Sequence, residues 1–211
     1  MDDVFLDKVV ASLDARGVEL GPGLSDTEID AIEARCDFRF PPDLRAFLQR
    51  AHPLGKPTPE PGHIVVGGPF PDWRTVPDDY IQQRFEGVLE GVFFDIQHGF
   101  WDPEWGAKPF RYEDACDVAR QELAKAPKLI PVFAHRLMPN EPLLAGNPVF
   151  SFHQTDIIYY GFDLADYFAQ EFDMPRPSWA TTYETVREIP VWTRSLEWRY
   201  PEFWPEDKAS S

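Results

Sequence analysis

Basic residues are few in this chain. Its 211 residues include 20 lysines and arginines against 36 aspartates and glutamates, which gives a formal net charge of −16 at pH 7. Nucleic-acid backbones are bound chiefly through lysine and arginine, so this balance argues against a nucleic-acid partner. Two interpretations of the acidic surface remain open: a well-solvated surface with no further role, or a surface that attracts a basic partner.

Cysteine and long apolar segments are also scarce. The two cysteines, Cys36 and Cys116, lie far apart in the sequence, each among apolar residues of a predicted helix, where a buried free thiol is common. No apolar run approaches the 18 residues that suggest a membrane-spanning helix, and no basic-then-apolar leader opens the chain. The sequence therefore predicts a soluble, cytoplasmic protein without a membrane partner.

Motifs of the common enzyme classes are missing as well. Neither Ser151 nor Ser178 lies in a Gly-x-Ser-x-Gly elbow, and no glycine-rich phosphate loop is present. The five histidines form neither an HxH nor an HExxH pattern, and no CxxC accompanies them: they are His52, His63, His98, His135 and His153. We expect no metal, no cofactor and no catalytic residue.

Two histidine–carboxylate groupings nevertheless keep a catalytic alternative open. A folded sheet can bring His98 next to Asp95 or Asp102, and His153 next to Asp156. Such pairs serve acid–base chemistry or metal binding, or they anchor turns through hydrogen bonds. Anchoring of turns is the more common role.

Apolar spacing and capping residues predict the helices. With 43% hydrophobic and 15% aromatic residues, the chain has enough apolar surface for one globular domain with additions. The predicted helices are Met1 to Arg16, one that begins at Ser25 with a Ser25–Glu28 capping box, one that begins within Phe40-Pro41-Pro42-Asp43, Asp78 to Glu90, Tyr112 to Ala126, and Asp163 to Phe172.

Apolar runs between turn residues predict the strands. These strands are Ile64 to Val66, Gly91 to Ile96, Leu129 to Phe133, and a paired set within Val149 to Tyr160, with a turn at Pro139 to Pro142. Runs of helices followed by runs of strands indicate an α+β fold, in which a mostly antiparallel sheet packs against several helices. The centre of the core is expected between Lys128 and Phe172.

Several motifs together carry a family resemblance. They are Leu24-Ser25-x-x-Glu28-Ile29 followed by Phe40-Pro41-Pro42-Asp43-Leu44, Gly91 to Asp95, the pair Trp101 and Trp105-Gly106, Leu129 to Arg136, and Gln154-Thr155-Asp156 with Tyr160-Gly161-x-Asp163-Leu164. This set resembles the SMI1/KNR4 (SUKH) family, and its later motifs resemble the bacterial branch. One departure is Ala51 to Gly55, which stands where the family often has Asn-Gly.

The resemblance implies one α+β domain over residues 1–172. Residues 173–211 differ in character and form a C-terminal arm rich in tryptophan and proline. Its four tryptophans predict that the arm packs on the domain, since aromatic side chains are mostly buried, although an exposed aromatic arm also suits partner binding. They are Trp179, Trp192, Trp198 and Trp204.

A polar cluster follows the first apolar strand of the predicted core. The planar guanidinium of Arg136 suits a carboxylate such as Asp156 or Glu141, and one interpretation is a buried ion pair that fixes the strand ends. The other is a recognition pocket, because ligand pockets combine a few polar groups with aromatic walls. That pocket comprises Arg136, Gln154, Asp156 and Tyr160, with Trp101 and Trp105 as walls.

For function, the resemblance implies a non-enzymatic protein-binding module. Bacterial members are immunity proteins that bind and neutralise a cognate toxin, and the acidic balance suits a cationic toxin such as a nuclease. The alternative is a small-molecule-sensing or regulatory domain with a pocket near Arg136 and Asp156. A hydrolase that uses histidine and carboxylate is a third hypothesis.

Overall fold

The computed structural model describes residues 1–55 and 69–194. Over these residues the chain forms six α-helices: α1 Asp3–Ala15, α2 Asp26–Cys36, α3 Pro42–Arg50, α4 Tyr80–Gln97, α5 Tyr112–Leu123 and α6 Leu164–Glu171. The described strands are β1 Glu19–Gly21, β2 His52–Leu54, β3 Leu129–Phe133, β4 Arg136–Pro139, β5 Val149–His153 and β6 Asp156–Gly161. The predicted strand Ile64 to Val66 lies outside the described residues.

Local capping explains where the N-terminal helices begin. The Ser25 hydroxyl accepts a hydrogen bond from the Glu28 N–H, and the Glu28 carboxylate accepts one from the Ser25 N–H. The predicted capping box is therefore confirmed. Helix α3 begins at Pro42, whose missing N–H costs nothing in the first turn of a helix.

The predicted strand from Gly91 to Ile96 is wrong, because these residues form the second half of α4. The buried residues of that helix recur every three or four positions, which is the period of one helix face: they are Ile81, Val88, Leu89, Val92 and Ile96. A short apolar run cannot be distinguished from a strand by its composition, and here the run continues the stripe of the preceding helix.

Strands β3 to β6 form a four-stranded antiparallel sheet in sequence order, and β1 pairs with β2 in a second, two-stranded sheet. This arrangement confirms the predicted α+β fold with an antiparallel sheet packed against helices. Strand β4 was not predicted. The chain turns at Ala134, whose φ of 52° is left-handed, so that Arg136 begins a new strand instead of following one.

The four-stranded sheet separates two apolar cores. One face contributes Ile130 and Met138 to a core shared with α1, α2, α3 and α6. The other face contributes Leu137 and Phe150 to a core shared with α4 and α5. Both faces of the sheet are therefore covered, and side chains that alternate along a strand enter different cores.

The described part of the C-terminal arm, residues 173–194, lies against both cores: Ala180 belongs to the core of α1, α2, α3 and α6, and Ile189 and Trp192 belong to the core of α4 and α5, called the second core below. Trp192 is buried, meets the Phe152 ring edge-on at 5.4 Å, and donates from its indole N–H to the Pro127 carbonyl at 2.9 Å. Trp179 remains about half exposed and contacts the Phe5 ring. Trp198 and Trp204 lie outside the described residues. Along the described segments, no helix is both long and apolar enough to cross a membrane.

Candidate functional site

The residues of the predicted recognition pocket are divided between the two sides of the sheet. Arg136 pairs in register with Ser151, while its neighbour Leu137 pairs with Phe150 on the opposite face. Arg136 therefore lies on the side of α6, whereas Trp101 and Trp105 pack against the core of α4 and α5. The structure therefore does not bring these residues into one pocket, because Arg136 and Tyr160 lie on the α6 side of the sheet and the two tryptophans pack on the other side.

Arg136 makes an internal ion pair with α6. Its Nε lies 3.2 Å from a carboxylate oxygen of Glu171, its Nη1 donates to the Ser151 hydroxyl at 2.6 Å, and its guanidinium lies 3.5 Å from the centre of the Tyr160 ring. The Arg136 and Glu171 side chains are only 13% and 16% exposed. Such a pair fixes β4 against α6, and removal of one partner would leave a largely buried charge without compensation.

The carboxylate partner of Arg136 is thus Glu171, and not Asp156 or Glu141 as predicted. Asp156 begins β6 opposite His153, the last residue of β5. Gln154 lies in the turn between them with a left-handed φ of 58°. These residues shape the hairpin turn between β5 and β6.

The same hairpin turn is anchored to α4. Asp95 accepts hydrogen bonds from the Thr155 N–H at 3.0 Å and from the Thr155 hydroxyl at 2.6 Å. Gly91 lies one turn earlier in α4 and packs directly beneath Gln154. Asp95 therefore anchors a turn, and the imidazole Nδ1 of His98 instead lies 2.7 Å from the Phe94 carbonyl.

Two of the described histidines, His52 and His135, are held by different parts of the structure. His52 is buried, its Nε2 accepts from the Trp73 N–H at 3.1 Å, and burial together with the charge of Arg74 lowers its pKa below the ordinary value. Burial and the charge of Arg136 likewise lower the pKa of His135. Within residues 1–55 and 69–194, no three histidine, cysteine, aspartate or glutamate side chains come together as a metal site would require.

Trp101 and Trp105 frame a small apolar cavity of about 70 Å³ next to the second core. Their rings meet edge-on at 5.2 Å, and the Trp101 indole N–H donates to the Gly106 carbonyl at 2.7 Å. The indole N–H of Trp105 is buried and has no hydrogen-bond partner within the described structure. Asp102, itself buried, contributes the one carboxylate of the cavity wall.

Three exposed aromatic residues lie where the first residue of α5 meets the second half of α4. Phe110 is fully exposed, and Phe94 and Tyr112 are 49% and 43% exposed. The Tyr112 hydroxyl donates to the Phe93 carbonyl at 3.3 Å, which ties the first residue of α5 to the end of α4. We call Phe94, Phe110 and Tyr112 the aromatic face.

Exposed carboxylates flank the aromatic face. Glu90 lies one helical turn before Phe94 on α4, and the first two turns of α5 carry three more acidic residues: Glu113, Asp114 and Asp117. Basic side chains lie close by as well: Arg111 is 3.8 Å from Glu113, and Lys108 donates to the Ile96 carbonyl at 3.0 Å. The result is an apolar centre with a negative rim.

Sequence reasoning missed the aromatic face. Phe110 precedes α5, and Tyr112 has the helical spacing of the buried stripe Ala115, Ala119 and Leu123. The sequence pattern therefore does not mark either residue as exposed, and their exposure is known only once the helix is placed in the fold.

Comparison with protein families matches residues 23–131, more than half of the chain, to the SMI1/KNR4 family (SUKH-1). The chain belongs to the SMI1/KNR4 family. No curated protein and no solved structure matches it. The matched range of this SMI1/KNR4 chain runs from just before α2 into β3, so it includes the aromatic face and excludes the Arg136–Glu171 pair.

Proposed function

We propose that this SMI1/KNR4 protein is a non-enzymatic protein-binding module that acts in the cytoplasm as an immunity protein and neutralises a cationic bacterial toxin, such as a nuclease. Membership of the family suggests a protein partner. The observation that carries the proposal is the aromatic face, because Phe94, Phe110 and Tyr112 expose three large rings within a negative rim.

Physical chemistry favours this face as the centre of an interface. Exposed aromatic rings gain much from burial by a partner and lose little conformational entropy, so a few of them dominate the energy of many interfaces. The carboxylates around them raise the rate of encounter with a cationic protein without having to be buried. A nuclease, whose cleft attracts phosphate, presents the complementary charge.

The test uses candidate toxins encoded next to the gene. The wild-type protein should co-purify with one of them and restore growth to cells that express it. The double variant Phe94→Ser/Phe110→Ser should bind at least about 10-fold more weakly and fail to restore growth, because truncation of each central ring typically costs more than about 1 kcal/mol.

A matched control comes from the loop between β4 and β5. Leu143 and Leu144 are also exposed apolar residues, at 42% and 56%, and lie away from the aromatic face. The variant Leu143→Ser/Leu144→Ser should bind as the wild type does. Equal loss in both double variants would remove the aromatic face from the proposal, and failure of every neighbouring toxin to bind would remove the immunity role.

A second candidate function, recognition of a small molecule, is favoured by the cavity at Trp101 and Trp105. The unpartnered indole N–H of Trp105 calls for a very small ligand with a hydrogen-bond acceptor, because about 70 Å³ is less than the roughly 150 Å³ that holds a benzene ring. Formamide or acetamide should then raise the melting temperature of the wild type and leave that of Trp105→Phe unchanged. An equal shift in both proteins, or no shift, would exclude this role.

A further inference from the structure

Two adjoining cavities run between the end of α2 and the segment that joins α5 to β3. Their volumes are about 920 and 280 Å³. Five residues line both of them: Asp37, Ala124, Ala126, Pro127 and Lys128. We call the combined feature the seam groove, because it follows the line where the two apolar cores meet at the surface.

Residues of both apolar cores lie along the seam groove. Cys36 and Phe38 come from the core of α1, α2, α3 and α6, whereas Leu123 and Leu129 come from the core of α4 and α5. Burial raises the pKa of the Cys36 thiol, which keeps it neutral and apolar. These four side chains are themselves buried, and the apolar surface that a ligand in the groove could cover comes from Phe85, Ala124, Ala126 and Pro127.

The rim of the groove has an excess of negative charge. Six carboxylates line it: Asp30, Glu33, Asp37, Asp78, Asp79 and Glu141. Three basic side chains line it as well, and each already has an acidic partner: Arg39 with Glu33 at 2.9 Å, Lys128 with Asp37 at 2.7 Å, and Lys125 with Glu122 at 2.6 Å.

Two of the rim carboxylates are available to an incoming cation. Asp79 is bonded to the side-chain amide of Gln83 at 2.9 Å, and neither it nor Glu141 has an ion-pair partner within the part of the chain that the structure describes. They lie toward the two ends of the groove, since Asp79 lines the smaller cavity and Glu141 the larger one.

The wall of the larger cavity also contains an unsatisfied acceptor. Asn140 is only 8% exposed, and its side-chain oxygen Oδ1 is buried with no hydrogen-bond partner among the described residues. Its backbone N–H donates to the Lys128 carbonyl at 2.9 Å, which holds it beside β3. A buried acceptor without a donor is costly, and a ligand N–H at this point would satisfy it.

From these features we propose that the seam groove binds an extended, basic segment of a protein partner. In an extended chain, successive side chains point to opposite sides at about 3.3 Å per residue. Lysine or arginine side chains would face Asp79 and Glu141, alternate apolar side chains would cover the apolar surface of the groove, and a backbone N–H would donate to Asn140. This is the recognition of an extended peptide by backbone donors and alternate side chains.

The proposal rests on the proposed function only in that the segment belongs to a protein partner. The aromatic face begins at the first residue of α5 and the seam groove begins at its last, so the two surfaces are about 16 Å apart along that helix at the usual rise per residue. One partner of ordinary size can contact both surfaces.

The experiment uses a synthetic nine-residue peptide that alternates lysine and valine, titrated into the full-length protein and followed by amide NMR and calorimetry. We expect chemical-shift changes concentrated at Asp37, Lys128 and Asn140. A peptide with glutamate in place of lysine should produce none. Changes confined to other surfaces, or no binding of the lysine peptide, would overturn the proposal.

Charge-neutral variants separate a built site from general attraction to an acidic protein. The pair Asp79→Asn/Glu141→Gln should weaken peptide binding about 3- to 10-fold, in line with the strength of partly exposed ion pairs. The matched pair Glu113→Gln/Asp117→Asn removes the same charge at the aromatic face and should leave binding unchanged. Equal weakening by both pairs would also overturn the proposal.

The Asn140→Leu variant tests the unsatisfied acceptor. It should retain the fold and bind the peptide more weakly than the wild type, and unchanged affinity would contradict the proposed hydrogen bond. Because the probe is a synthetic peptide, its failure to bind would leave the toxin experiment at the aromatic face unaffected. Failure of the toxin experiment would in turn leave the peptide result standing.

Discussion

Helix α4 contains two interior glycines, Gly87 and Gly91, whose surroundings differ enough to predict opposite effects of the same substitution. A Cβ atom at Gly87 would meet nothing within 4 Å. A Cβ atom at Gly91 would lie 2.8 Å from the Gln154 Cα atom, closer than real Cβ contacts. The first position is open, and the second is the place where the helix touches the β5–β6 turn.

The magnitudes follow from helix propensity and packing. Substitution of an interior glycine by alanine stabilises a helix by about 1 kcal/mol, so Gly87→Ala should be more stable than the wild type by about that amount. Gly91→Ala has the same gain, but its methyl group must displace the backbone of Gln154, and such overpacking costs about 1–3 kcal/mol. The two variants should therefore differ by about 1–3 kcal/mol, with Gly91→Ala the less stable.

Urea denaturation followed by circular dichroism measures this difference directly. For a chain of this length, about 2–4 °C in melting temperature corresponds to 1 kcal/mol, so thermal unfolding provides an independent check. If Gly91→Ala proves as stable as Gly87→Ala, the close approach of α4 to the hairpin turn is refuted. If Gly87→Ala is destabilising, the helical assignment of this stretch is refuted with it.

Three further predictions concern buried polar groups. Tyr167→Phe should keep or raise stability by about 1 kcal/mol in denaturant unfolding, because the buried Tyr167 hydroxyl has no hydrogen-bond partner in the described structure, and a clear loss would contradict that. Asp166→Ala should lose about 2–4 kcal/mol in the same assay, because the buried Asp166 carboxylate accepts hydrogen bonds from the Phe162 N–H and from Arg176. A loss of less than about 1 kcal/mol would contradict this role. Burial and the charge of Arg74 lower the pKa of His52 in the folded protein, so the unfolded chain binds this proton first and stability should fall as pH drops through about 6.5. The stability of His52→Gln should depend less on pH in this range, and an unchanged slope of stability against pH would contradict the role of His52.

Local patterns were sufficient to predict much of the helical part of the fold. The capping box at Ser25 and the proline at the start of α3 act within three or four residues, so the sequence contains the whole signal. The stretch from Gly91 to Ile96 was mistaken for a strand because two glycines interrupt the helical pattern. Val92 and Ile96 nevertheless continue the buried stripe of Ile81, Val88 and Leu89, so the helical pattern is visible only over the whole length of α4.

The short strands had no comparable local signal. Strands β1 and β2 have three residues each, and β2 contains a proline, so their pairing depends on chain segments about 30 residues apart. Arg136 finds its carboxylate in Glu171, 35 residues away on a helix. The register of the sheet decides which carboxylate Arg136 meets, because a shift of one residue would move the Arg136 side chain to the opposite face.

The coverage of both sheet faces bears on where a partner can bind. A binding site on the β3–β6 face would require removal of α6 on one side or of α4 and α5 on the other, with the loss of a whole apolar core. The proposed surfaces avoid this cost, because they lie on the outer side of the α4–α5 junction and along the seam between the cores. The Arg136–Glu171 pair, which fixes β4 against α6, then keeps the sheet rigid behind them. Replacement of Glu171 by glutamine should therefore lower stability and leave the affinity of the folded protein for a partner of the aromatic face unchanged. A loss of affinity without a loss of stability would instead place the functional site at Arg136.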